Sequence, residues 1–235
     1  GTLTYEDVTN IDAVGLITAR NGIVVGSGIT LSADGDIFAT GISTFSEGIV
    51  TSSDITVNSV TVGKGANSVA GNTVVGESAL DAATTGGNNT VVGKYAATNL
   101  TTGTNNTVLG YNSLADLSTA SNNTAIGYYA LKANSTGANN SAVGYNALLS
   151  NTTANSQNAF GFEALKTITT AGGATAFGHK AGRLSTVRIC AIGAESAYKN
   201  STGAYNTALG NYSLSENTTG SSTTAVGENT LFGNT

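Results

Sequence analysis

The chain has 235 residues, a formal net charge of −5 and only 10% charged side chains, with one His, one Cys and no Pro, Met or Trp. The acidic balance argues against a nucleic-acid binder, which needs a basic face, and a single cysteine excludes an internal disulfide framework. No apolar run approaches the ~18–20 residues of a membrane-spanning helix, so no membrane insertion is expected of this segment.

Taken in chain order, residues 1–62 read as a fibre stalk or connector. "IDAVGLITARNGIVV" from Ile11 aligns with "IFATGISTFSEGIVT" from Ile37 at an offset of 26, and "ITLSADGDI" from Ile29 is echoed by "ITVNSVTVG" from Ile55. The pattern predicts short strands joined by glycine turns. "ADGD" at 33–36 is turn chemistry and lacks the further ligand spacing of a calcium loop.

From residue 63 the chain repeats itself. "NNTAIGYYALKANSTGA" (122–138) is followed at once by "NNSAVGYNALLSNTTAN". The glycine closing each copy stands at 76, 93, 110, 127, 144, 161, 178, 193, 210 and 227; every spacing is 17 except the 15 between Gly178 and Gly193. A degenerate copy is expected to end at Gly63. A fixed period of this length is the signature of a stacked repeat architecture. Runs such as "NTVVG" favour strand and "NSTG" or "NLTTG" favour turn. The reading is all-β: a parallel β-solenoid of the left-handed β-roll type over 63–235, about ten repeats with one per coil. Each coil is expected to carry a strand ending at the marker glycine, a tight bend, a second short strand around "AL", and a hydroxyl-rich turn such as Ser135-Thr136.

Side-chain columns follow from the period. Asn72, Asn89, Asn106, Asn123 and Asn140 precede the strand and are expected to form an amide ladder. A large apolar column stands one residue before each marker (Val75 to Val226) and another four after it (Leu80, Leu114, Leu131, Leu148); both are read as core. About two large side chains per coil contribute roughly 1.5–3 kcal/mol each, against about 1–2 kcal/mol per residue to order the chain. One coil alone is therefore unstable. The small column two before the marker (Ala125, Ala142, Ala159) is read as the place where an identical chain approaches, most simply in a homotrimer.

No catalytic, cofactor-binding or metal-binding constellation is legible. His179 and Cys190 are 11 residues apart with no acidic residue at a recognisable spacing. Two features stand out as candidate receptor or glycan contacts. Tyr111, Tyr128, Tyr145, Phe162 and His179 place a ring directly after five successive markers. They either stack on sugars or fill a trimer seam, and the seam is the favoured reading because buried rings stabilise a thin core. "HKAGRLSTVRIC" (179–190) gathers Lys180, Arg183 and Arg188 in the one shortened copy. It is either a docking point for an acidic glycan or, the favoured reading, a tolerated irregularity.

The "N-[TS]-[AV]-[VI]-G" repeats resemble the head repeats of trimeric autotransporter adhesins, and "NTAVG…NTTG"-type repeats recur in bacteriophage tail fibres. "NIDAVGLITARNGIVVGSGI" is similar to fibre proteins of marine, cyanophage-like viruses. The resemblance implies a trimeric β-roll and a virion structural protein outside the cell: a tail fibre that spaces and presents host attachment, with other virion proteins and a host surface glycan as partners. The alternatives are the head of a bacterial surface adhesin and, third, an ice-binding solenoid built on threonine ladders. Lacking Met and stopping at "GENTLFGNT" partway through a repeat, the chain is expected to be a piece of something longer.

Overall fold

The computed structural model describes residues 54–82 and 84–233. The 26-residue repeat of the predicted stalk lies almost wholly outside them. Twelve short strands form one sheet in sequential order. A hairpin opens it: β1 (Ile55–Val57) and β2 (Val60–Gly63) are antiparallel, joined by Asn58 and Ser59 at φ 47° and 66°. Two central residues with positive φ make the turn whose twist matches the flanking strands.

A 3-10 turn at Ala66–Ser68 leads to β3 (Thr73–Gly76). β4 (Thr90–Val92), β5 (Thr107–Leu109), β6 (Thr124–Ile126), β7 (Ser141–Val143) and β8 (Asn158–Phe160) follow. β9 (Thr175–Phe177), β10 (Ile189–Ile192), β11 (Asn206–Leu209) and β12 (Thr224–Val226) complete the sheet. From β3 onward every pairing is parallel, and like residues face like: Thr124 pairs with Ser141, Ala125 with Ala142, Ile126 with Val143. The shortened copy keeps the alignment, with Ala176 opposite Ala191. The result is a β-solenoid with one 17-residue coil per repeat. Gly63 is not a coil marker: β2 runs antiparallel to β3 and sets Gly63 opposite Val74. The hairpin is thus the first part of the solenoid's own sheet.

The marker glycines make close stacking possible. Each has φ between 117° and 153°. A Cβ on Gly127 would lie 2.6 Å from the carbonyl oxygen of Gly144 in the next coil. Only a residue without a side chain fits there.

The second strand around "AL" does not form. Positions two and four after the marker are left-handed, as in Tyr129 (φ 57°) and Leu131 (φ 52°), and the pair recurs from coil to coil. Amides alternate between local and neighbouring acceptors. Ala130 N–H donates back to Gly127 O, and Leu131 N–H donates onward to Ala147 O at 3.0 Å. The left-handed leucine costs about 1–2 kcal/mol. Its side chain is fully buried at Leu80, Leu114, Leu131, Leu148, Leu165 and Leu214, which returns about as much or more.

The columns before the marker face opposite ways from the sequence reading. The small column points into the coil: Ala125, Ala142, Ala159, Ala176, Ala191 and Ala208 have no exposed surface. The large column points out, with Leu109 47%, Phe177 41%, Ile192 38%, Leu209 44% and Val226 61% exposed. Successive strand residues alternate faces, and the narrow interior already holds the leucine of the turn segment, leaving space only for Ala or Val. The small column therefore marks the core, and it is not where a second chain approaches.

Candidate interaction surfaces

Two columns stand outside the coil beside the marker glycines. The first is the outward apolar file from Val75 in β3 to Val226 in β12, one residue per coil and uncharged throughout. Phe160 and Phe177 stack within it at 4.5 Å. The second is the predicted ring column. Tyr111, Tyr128, Tyr145, Phe162 and His179 form one continuous ladder with centroids 5.2–5.3 Å apart and planes within 16° of parallel. Tyr111, Tyr128, Tyr145 and Phe162 are 38–44% exposed. Their rings are spent on one another face to face, so edges and hydroxyls are what the ladder shows to solvent. Tyr129 packs against Tyr128 at 4.1 Å. The Tyr128 phenol is pushed up to about 12, first by its hydrogen bond to Tyr129, then by burial and the neighbouring tyrosines.

The predicted basic cluster comes apart. Arg183 reaches back 20 residues to Glu163, Nε to Oε2 at 2.5 Å, and lies over the Tyr198 ring. Lys166 Nζ holds the other Glu163 oxygen at 2.6 Å. Burial alone would raise the Glu163 carboxyl, but the bonds from Lys166 and Arg183 outweigh it and hold the group below the ordinary carboxylate range. Glu163 and Arg183 thus clamp the shortened copy to the coils before it. Lys180 is half-buried, in the left-handed position after His179. Arg188 is exposed at the approach to β10, beside Tyr205, and donates from Nε to Gly172 O at 3.0 Å.

His179 and Cys190 are not brought together as a catalytic pair. His179 closes the ring ladder, with Nδ1 3.9 Å from Glu195. Cys190 stands between Thr175 and Thr207 in the outward column of the strand. Among the described residues no group of three His, Cys, Asp or Glu is arranged to hold a metal ion.

Sequence reasoning missed Glu163 and Tyr205. Tyr205 carried a signal: Asn88, Asn105, Asn122, Asn139 and Ser156 occupy its column in earlier coils, so a tyrosine there is an outlier.

The fold defines the class: a β-solenoid repeat protein. Comparisons with family models, curated proteins and solved structures found no match to this chain.

Proposed function

We propose that this chain is a structural fibre segment of a phage virion, exposed outside the cell, in which three copies lie side by side along their solenoid axes. The observation that carries the reading is the outward apolar file. A continuous uncharged line of half-exposed Val, Leu, Ile and Phe over ten strands calls for a partner. Such a line repeats once per strand spacing, ~4.8 Å. A second copy of the same solenoid has that repeat by construction, coil for coil.

The marker glycine turns the chain between the apolar file and the ring ladder, so each copy offers both at one corner. The apolar file of one copy packs on the ladder of the next, a heterologous contact that a three-fold axis closes. This arrangement uses the ladder as a seam, in keeping with rings already stacked on one another. Other virion proteins would hold the fibre at its base, and a host surface glycan would be met along or beyond it. Immunogold electron microscopy of intact particles tests the assignment. Label on a thin appendage is the expected result; label confined to the capsid shell, or none on any particle, contradicts it.

A further inference from the structure

One place on this otherwise uniform surface is built differently. The copy ending at Gly193 is two residues short. Just before β10 it sets an arginine where earlier coils have Asn, Ser or Gly. The Arg188 guanidinium lies over Gly173, whose φ is +77°; a Cβ there would come within 3.1 Å of Nε and 3.3 Å of Nη2. Nε is fixed on Gly172 O at 3.0 Å. Neither Nη has an acceptor, and Arg188 has no carboxylate partner, among the described residues. By contrast Arg183 is locked on Glu163. In the next coil the equivalent position is Tyr205, 68% exposed. Arg188 and Tyr205 both line two adjoining shallow grooves, which make one notch. One is floored by Thr175, Cys190 and Thr207 on the sheet's outer face, the other by Ala171 and Gly172.

We propose that the Arg188–Tyr205 notch binds a saccharide bearing a carboxylate. An oriented guanidinium with both Nη groups free presents the fork that matches a carboxylate bidentately. Among the described residues the Tyr205 ring belongs to no aromatic pair, unlike the ladder rings, so a sugar's apolar face has somewhere to stack. The Thr175 and Thr207 hydroxyls supply hydrogen bonds to ring hydroxyls. The notch lies at the strand end opposite the marker glycine, its floor two residues along the same outer face from the apolar file. Its role as a receptor contact rests on the fibre reading, but the binding itself belongs to one chain.

The test is calorimetric titration of the full chain with a glucuronate-containing tetrasaccharide, its carboxyl-reduced counterpart and a glutamate-rich peptide. Binding of the acidic tetrasaccharide alone is expected. Arg188→Gln should weaken it about tenfold or more, the loss of a charged hydrogen-bond pair. Tyr205→Ala should weaken it several-fold, and Gly173→Ala, which displaces the guanidinium at constant charge, should match Arg188→Gln. Tyr128→Ala and Lys180→Ala should leave it unchanged. No binding by the parent chain, binding indifferent to Arg188→Gln, or equal binding of the reduced sugar or the peptide overturns the proposal. Sedimentation of the same samples separates the two ideas: a single-chain mass with intact binding sinks the fibre reading alone, and a trimer that ignores the sugar sinks only the notch.

Discussion

Asn106 Oδ1 accepts two hydrogen bonds from Asn123 one coil on, from its backbone N–H at 2.9 Å and from its Nδ2 at 3.3 Å. Asn123 repeats the gesture toward Asn140 N–H at 3.0 Å and sends Nδ2 to Gly137 O at 3.0 Å. Both side chains are about fully buried. The ladder runs from Asn72 through Gln157 to Ala174 N–H. It therefore replaces, inside the coil, the strand hydrogen bonds that the turn cannot make.

Removing one rung strands a buried donor in the next coil. Asn123→Ala leaves the Asn140 N–H without its acceptor, at about 1–3 kcal/mol when buried, while the Gly137 carbonyl keeps Asn134 Nδ2 at 2.8 Å. A fall in urea midpoint equivalent to about 2 kcal/mol is expected, against less than about 0.5 kcal/mol for Asn99→Ala, which is exposed and has no left-handed backbone.

Gly127→Ala tests the stacking distance. Its Cβ would meet the Gly144 carbonyl at 2.6 Å, at φ +131°. The coils must separate locally, and a loss of about 3 kcal/mol or more is expected. Gly233, with nothing within 4 Å of an added Cβ, is the control: Gly233→Ala should leave the melting curve unchanged.

The period, the strand ends, the hydroxyl turn and the asparagine ladder were legible because each is a column, and a column survives translation along the axis. Ser135 Oγ donates to Thr152 O at 3.0 Å, 17 residues on, so this hydroxyl ties one coil to the next where turn chemistry implied a bond within its own bend. What could not be read was the facing of the columns. Ala125 and Ile126 are adjacent and both apolar, so alternation alone allows either parity; the tie is broken by Leu131, whose left-handed backbone brings it under the sheet. Leucine gives no signal for that conformation, which is also why "AL" read as strand. The ring ladder was legible as a column and its face-to-face stacking was not, since spacing says nothing of ring planes.

A second buried file offers a repair. Asn151 Nδ2 donates to Asn134 Oδ1 at 3.3 Å, while Asn151 Oδ1 is buried without a hydrogen-bond partner among the described residues. The equivalent residue one coil on is Ile168, fully buried. Ile168→Asn would supply the missing donor. It should cost less than Ile168→Ala, for which about 2–5 kcal/mol is ordinary. Equal or greater loss for Asn, measured by urea unfolding, would show that the file is indifferent to pairing.

The Glu163 clamp predicts an acid limb. Its carboxyl is held below the ordinary range in the folded chain, despite the opposing effect of burial, by Lys166 and Arg183. A depressed carboxylate stabilises above the unfolded value, about 4.3, and that stabilisation is lost as pH falls through the folded value. Stability against urea should fall from about pH 4.5 downward. In Glu163→Gln the slope over that interval should be shallower. An identical slope would mean other carboxylates set the acid limb.

The assembly itself is tested most directly by sedimentation equilibrium of the full chain, whose mass is 23.3 kDa. The account predicts a particle of three chains. Leu109→Lys with Ile192→Lys, both on the outward file and 47% and 38% exposed, should keep the circular-dichroism spectrum and reduce the mass to one chain. A parent chain that sediments at 23.3 kDa, or a trimer untouched by the two lysines, would contradict it.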